Sequence, residues 1–129
     1  MNAISLPTHA DQILLLEREA LDRWGRGDPG GFLDVYATGV TYFDPATKLR
    51  IDGRQAMADY YRPWVGKIQI ARYEMLNPHV VVDGNMAVLT YNLGNYIRNA
   101  EGLEVMGSRW NSTTVYQRTR SIDAYEAPC

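Results

Sequence analysis

Residues 68–118 decide the fold, and they read IQIARYEMLNPHVVVDGNMAVLTYNLGNYIRNAEGLEVMGSRWNSTTVYQR. Three runs in this stretch are rich in the β-branched and aromatic residues that favour strands: 68–82, 86–98 and 103–118. Asp83-Gly84 separates the first two runs and is a strong hairpin signal, because both central positions of a tight primed turn need a positive φ. Residues 99–102 form a second, looser turn. The stretch therefore predicts a three-stranded antiparallel meander.

Two features indicate that the meander is curved and packed on both sides. Asn77-Pro78 interrupts the first strand, and proline removes a ladder donor, which suits an edge, a bend or a bulge. On residues 86–98 both sets of alternating side chains are partly apolar, whereas a sheet with one solvent-facing side alternates cleanly. We expect one face to pack on helices and the other to meet a second subunit.

The chain before the meander predicts three helices and two short strands. Thr8 and Asp11 resemble a capping box at the start of the first helix. Asp28-Pro29 opens the second helix, because proline at the first helical position loses no hydrogen bond. The expected helices cover about 8–24, 28–37 and 54–65, and the expected short strands about 40–43 and 48–51. We expect one α+β domain over residues 1–129.

Composition excludes several classes of function. The chain has 129 residues and a formal net charge of −2, whereas nucleic-acid binding depends on many Lys and Arg side chains that neutralise phosphates. Cys129 is the only cysteine, so no disulfide framework is expected and the reducing cytosol is the default compartment. No apolar run approaches the roughly 20 residues of a membrane span, and no signal peptide is visible. We expect a cytoplasmic protein that binds neither nucleic acid nor membrane.

Four motifs carry a resemblance to a known superfamily. In order they are Tyr42-Phe43-Asp44-Pro45, Asp52-Gly53, Leu76-Asn77-Pro78-His79-Val80 and Ala87-Val88-Leu89-Thr90-Tyr91. Together they resemble the SnoaL-like and ketosteroid isomerase-like proteins of the nuclear transport factor two-like superfamily, above all the association domain of calcium/calmodulin-dependent kinase II and its small bacterial relatives. The resemblance covers about residues 13–118. It implies a cone-shaped, strongly curved mixed sheet, mainly antiparallel, wrapped around three helices, with a pocket inside and a homodimer formed through the outer sheet face.

The resemblance ends at the C-terminus. The family usually has an Asp-Gly turn, a tryptophan and a sixth strand bearing histidines, whereas residues 119–129 read TRSIDAYEAPC. We therefore expect the last strand to be short or missing, and the strand beside it to expose an edge that another chain could fill. Thr114 stands where the kinase association domain has a pocket arginine.

Asp44 is the candidate catalytic residue. It follows an aromatic strand, where partial burial would make its carboxylate a usable general base. Alternatively, Asp44 caps the Asp-Pro turn through its own backbone, as aspartates often do.

Six further residues are candidates for ligand binding. They are Tyr42, Tyr61, Trp64, Tyr91, Arg109 and Trp110. The tyrosines would donate hydrogen bonds to an anionic ligand, the tryptophans would form an apolar wall, and the arginine would pair with an acidic ligand. The alternatives are core packing for the aromatic residues and a rim or interface salt bridge for the arginine. If the turn at 99–102 sets the register, Tyr91 pairs with Trp110 and Asn92 with Arg109.

The remaining motifs favour no metal and no cofactor. His9 and His79 are far apart, and no cysteine accompanies them at metal-ligand spacing. No glycine-rich phosphate loop and no nucleophile elbow is present. Two hypotheses stay open. One is a protein with a pocket for an apolar or weakly acidic small molecule, which would be a cofactor-free isomerase, cyclase or hydratase if it is catalytic. The other is a non-catalytic oligomerisation or ligand-sensing module.

Overall fold

The computed structural model describes residues 8–119 and the backbone of residues 125–126. Its helices are α1 (His9–Gly25), α2 (Gly30–Val35) and α3 (Arg54–Tyr61), the last followed by a 3₁₀ turn, Arg62–Trp64. Its strands are β1 (Thr41–Tyr42), β2 (Ile51–Asp52), β3 (Arg72–Asp83), β4 (Met86–Arg98), β5 (Glu104–Arg118) and β6 (Tyr125–Glu126). The expected α+β class is confirmed.

The strands form two sheets. β1 and β2 make a small hairpin, and the large sheet has the order β3-β4-β5-β6. Every strand pairing in the described part of the chain is antiparallel, whereas a mixed, mainly antiparallel sheet was expected. β6 pairs with Gln117 and Arg118 of β5, and no described strand bridges β5 and β1. The sheet is therefore not closed.

Local interactions set the helix boundaries. Thr8 Oγ1 accepts a hydrogen bond from the Asp11 N–H, and the Asp11 carboxylate accepts one from the Thr8 N–H, both at 3.1 Å. This reciprocal capping box opens α1. Asp28 Oδ1 accepts from the Gly30 N–H at 2.9 Å, so Asp28 satisfies a donor at the start of α2. Pro29 precedes that helix and is not its first residue.

The bend in β3 lies at the Asn77-Pro78 dipeptide. The pairing of β3 with β4 shifts between Leu76 and His79. Asn77 has a φ of 51° and is the only non-glycine residue with a positive φ in the described part of the chain. Asparagine tolerates this left-handed conformation better than most residues do. A β-bulge therefore bends the strand at the position that the sequence indicated.

The expected register between β4 and β5 is wrong by two residues. Tyr91 pairs with Ser112, and Trp110 pairs with Leu93. The strands first pair at Arg98 and Glu104, one residue later than expected, and a bulge next to Asn95 adds the second residue. Because a shift of two residues preserves the side-chain alternation, Tyr91 and Trp110 still share one face of the sheet.

One face of the large sheet forms the main core. On β4 the buried Ala87, Leu89, Tyr91 and Leu93 alternate with exposed residues, and they pack with residues of α1 and β5, including Ile13. A second cluster joins Val40 to Met57 and Tyr61, which are buried residues of α3. None of the described helices has the length and apolar character needed to cross a membrane.

Candidate functional site

A cavity of about 440 Å³ lies between the helices and the inner face of β4 and β5. Volumes of this size are typical of small-molecule sites. Eight of its nineteen lining residues are aromatic, and they include Trp24, Phe32, Tyr36, Tyr42, Tyr91 and Trp110. Two carboxyl groups, those of Glu17 and Asp44, also belong to the wall. The cavity therefore combines an apolar, largely aromatic surface with polar residues, most of which lie on β5.

The open edge of β5 forms one border of the cavity. Six consecutive residues, 109–114, line it, so residues from both faces of the strand contribute. The Arg118 N–H donates to the Asn85 carbonyl at 2.7 Å. The N–H and C=O groups of Arg118, and of every second residue before it on β5, therefore point towards β4. The residues between them, including Asn111 and Thr113, direct their N–H and C=O groups away from β4. Within residues 8–119, these groups have no strand partner at the edge of β5 that borders the cavity.

The carboxylate of Asp44 is held by four hydrogen bonds. Its Oδ1 accepts from the backbone N–H groups of Ala46, at 2.8 Å, and Thr47, at 3.0 Å. Its Oδ2 accepts from the hydroxyl groups of Tyr42, at 3.0 Å, and Tyr60, at 2.6 Å. Asp44 therefore caps the turn after β1, and the same carboxylate lines the cavity. To act as a base, it would have to exchange one of these donors for the substrate.

The tyrosines beside Asp44 form a connected group. The hydroxyl oxygens of Tyr36 and Tyr61 are 3.0 Å apart, and the rings of Tyr42 and Tyr61 meet edge to face at 6.2 Å. Burial raises the pKa of Tyr36, Tyr42 and Tyr61 far above its usual value. Burial and the hydrogen bond to Asp44 raise the pKa of Tyr60 to about 12. All four hydroxyl groups therefore keep their protons at neutral pH.

Glu17 is a cavity residue that the sequence reasoning missed. Its side chain is 3% exposed, and it accepts hydrogen bonds from the hydroxyl groups of Tyr91, at 2.6 Å, Tyr116, at 2.5 Å, and Thr114, at 3.4 Å. Burial raises the pKa of Glu17, and the hydrogen bonds oppose this shift. It forms no ion pair with the described residues. The available signal was its position four residues after Ile13, within the apolar stripe of α1.

The structure brings most of the predicted ligand-binding residues together. Tyr42, Tyr61, Tyr91 and Trp110 line the cavity with Asp44. Arg109 also borders it, but it pairs with Gly94 on β4, and this position alternates with the inward-facing Trp110. Its side chain therefore belongs to the outer face. Trp64 is 47% exposed and is not part of the cavity wall.

No group of three or more histidine, cysteine or acidic side chains could hold a metal ion within residues 8–119. The cavity wall itself presents carboxyl and hydroxyl groups beside aromatic rings.

Comparison with known proteins decides the family. The model of the SnoaL-like domain matches residues 18–118. The chain belongs to the SnoaL-like family. A structure from Parabacteroides distasonis, provisionally assigned as a ketosteroid isomerase, has 31% sequence identity and a TM-score of 0.75. That match covers 96% of this chain and 83% of the other.

Two more distant structures show the same fold. The CaMKII hub of S. rosetta has 18% identity and a TM-score of 0.71, over 98% of this chain and 95% of the other. Aln2 from a Streptomyces species has 14% identity and a TM-score of 0.76, over 98% of this chain and 90% of the other. Comparison with curated proteins gives no significant match. Because SnoaL-like folds occur in proteins with such different names, the function has to be argued from the site.

Proposed function

We propose that this SnoaL-like protein binds a small, largely apolar molecule in the cavity between its helices and the inner sheet face. The aromatic wall of the 440 Å³ cavity carries the proposal, because aromatic walls with a few polar groups are typical of small-molecule sites. Arg109 is the only Lys or Arg among the lining residues, and its side chain belongs to the outer face of the sheet, so it does not offer its charge to an acidic ligand. The geometry therefore favours an apolar ligand over an acidic one.

Native mass spectrometry of gently purified protein tests this proposal. We expect a mass larger than that of the chain or a whole number of chains, with the excess lost on denaturation. Ser112→Trp would fill the cavity and remove the excess mass, whereas Glu101→Trp, in an exposed turn, would keep it. Absence of excess mass, together with no binding of small aromatic probes, would contradict the proposal.

If the protein is an enzyme, its chemistry would be a cofactor-free isomerisation, cyclisation or hydration. Asp44 would be the base, since its carboxylate is at the cavity wall, and Tyr42 would be the hydroxyl group beside it. Asp44→Asn would then abolish turnover of the molecule identified by mass spectrometry while leaving its binding nearly unchanged. Asp52→Asn, at an exposed carboxylate paired with Arg50, is the control. Equal turnover in both variants would remove Asp44 from the mechanism.

The outer face of the sheet favours a second role, in assembly. Several apolar side chains of this face are exposed, including Leu76 at 44%, Val81 at 52% and Val88 at 37%. Contiguous exposed apolar surface often marks an interaction site, so we propose a homodimer through this face. Analytical ultracentrifugation at micromolar concentration would detect it. Val88→Lys should shift the protein towards the monomer, whereas Val65→Lys, exposed outside the sheet, should not. A wild-type monomer would refute this role.

A further inference from the structure

We propose that the molecule bound in the cavity is a protonated amine on an apolar body, with its ammonium group donating hydrogen bonds to oxygen atoms of the wall. This inference rests on the proposed function, because it takes the cavity to be a ligand site. It names the chemical class of the ligand. Three features of the wall support it: the direction of its hydroxyl hydrogen bonds, an unpaired acceptor and its charge.

The hydroxyl groups around Glu17 have no proton to offer a ligand. Tyr91 donates to Oε2 of Glu17 and Tyr116 donates to Oε1. A tyrosine hydroxyl has a single proton, and its remaining capacity is that of an acceptor. Tyr91 lines the cavity, whereas Tyr116 lies behind the wall. Because the proton of Tyr91 points at the carboxyl group, a ligand beside Tyr91 meets oxygen lone pairs.

The same holds beside Asp44. Tyr42 lines the cavity and donates to Oδ2 of Asp44, so its hydroxyl group has no second proton for a ligand. Tyr60 donates to the same oxygen but does not line the cavity. Tyr36 and Tyr61 share one hydrogen bond, which uses the proton of one of them. At this end of the wall, too, most of the hydrogen-bonding capacity is that of an acceptor.

Asn95 adds an unpaired acceptor to the wall. Its side chain is 6% exposed and lines the cavity. Its Nδ2 donates to Ser108 Oγ at 3.2 Å, while its Oδ1 has no hydrogen-bond partner within residues 8–119. Once a ligand fills the cavity, an acceptor without a partner costs free energy. A ligand that donates a hydrogen bond would remove that cost.

A cation suits the carboxyl groups of the wall, because a bound ammonium group would favour the ionised form of Glu17, whose pKa is raised by burial. Neither Glu17 nor Asp44 forms an ion pair with the part of the chain that the structure describes. Among the described residues, Arg109 is the only Lys or Arg that borders the cavity, and its position is on the outer face. The rings of Trp24, Trp110 and their neighbours attract a cation through their negative faces. Beside Glu17 and Asp44, an anion would meet carboxyl groups and lone pairs instead.

Three probes of matched size separate the charge of the ligand from its shape. Isothermal titration calorimetry at neutral pH would compare phenethylamine, 2-phenylethanol and phenylacetate, which share one ring and differ in the terminal group. We expect phenethylamine to bind about tenfold more tightly than 2-phenylethanol, through cation–π and carboxyl attraction. Phenylacetate should bind most weakly. Added salt should weaken only the binding of the amine.

The outcomes distinguish this inference from the proposal on which it rests. Equal binding of the amine and the alcohol would overturn the amine assignment and leave the cavity as an apolar site. Tightest binding by phenylacetate would overturn the assignment and restore an acidic ligand. No binding of any probe at millimolar concentration would overturn both the amine assignment and the proposed function.

Two substitutions locate the preference. Glu17→Gln keeps the shape of the side chain and should remove most of the tenfold preference for the amine, leaving the alcohol unaffected. Glu19→Gln, on the exposed side of the same helix, is the matched control and should retain the preference. Asn95→Leu should weaken the binding of the amine alone. Thermal melting would show whether the Glu17 variant folds, and if it does not, the Asn95 variant gives an independent answer. Unchanged preference in a folded Glu17 variant would overturn the role of this carboxyl group.

Discussion

Replacing Glu17 with glutamine should change how the stability of the protein depends on pH. Burial raises the pKa of Glu17 above the ordinary value of 4.5. Between 4.5 and the folded-state pKa, the native protein keeps a proton that the unfolded chain has lost. The free energy of unfolding of the wild type therefore falls as pH rises through this interval, by at most about 1.4 kcal/mol per pH unit for one proton.

The glutamine side chain of the variant cannot ionise, so this fall in the free energy of unfolding does not occur in the variant. The difference in unfolding free energy, variant minus wild type, should be constant below about pH 4.5 and rise above it. It should level off once the pH passes the folded-state pKa. Folding lowers the pKa of three other carboxyl groups, those of Asp28, Asp52 and Glu74. Their ionised forms stabilise the fold above their unfolded-state pKa, and this stabilisation is lost as the pH falls. They do so in both proteins, so they cancel in the difference.

Urea denaturation followed by tryptophan fluorescence, from about pH 4 to about pH 8, measures this difference directly. Glu19→Gln, at an exposed position of the same helix, is the matched control for the loss of one carboxyl group. The unfolding free energy of Glu17→Gln minus that of the wild type could instead stay constant or fall with rising pH. In that case the native protein ionises this carboxyl group without penalty. The reasoning from burial would then be refuted.

Three further substitutions test the packing by urea denaturation. Met57→Ala, at a fully buried position, should cost about 2–5 kcal/mol, and a cost below about 1 kcal/mol would mean that the second core cluster is loosely packed. Gly27→Ala should cost more than about 1 kcal/mol, because φ is 86° and the new Cβ would lie 3.1 Å from the Gly66 Cα; an unchanged midpoint would contradict this backbone conformation. Tyr60→Phe should cost roughly 1 kcal/mol through loss of its 2.6 Å bond to Asp44, and a neutral result would show that water replaces it.

The meander could be predicted because its signals are local. Asp83-Gly84 encodes its own turn, and Asn77-Pro78 encodes its own bulge, so neither depends on distant parts of the chain. The register of β4 with β5 depends instead on a second bulge, where Gly107 is left without a partner in β4. A Cβ at this position would lie 2.9 Å from Ile97 Cγ2. That crowding exists only after the strands have paired, so the sequence alone did not reveal it.

The site was only partly predictable, for a similar reason. Asp44 is conspicuous because it follows an aromatic strand and precedes proline. Glu17 looks like an ordinary helix residue, and its partners Tyr91 and Tyr116 lie 74 and 99 residues away along the chain. A carboxyl group in the apolar stripe of a helix needs buried donors, but the spacing within α1 does not say which strands supply them.

The separation of the two sheets has a consequence for the rate of ligand exchange. One wall of the cavity, with Tyr42 and Asp44, belongs to the β1–β2 hairpin region, whereas Tyr91 and Trp110 belong to the large sheet. No backbone ladder joins the two in the described part of the chain. Small outward excursions of the hairpin therefore break few hydrogen bonds, and we expect them to set the residence time of a bound molecule. Amide protons of residues 41–52 should exchange with solvent much faster than those of residues 87–95, and a bound ligand should slow the first set.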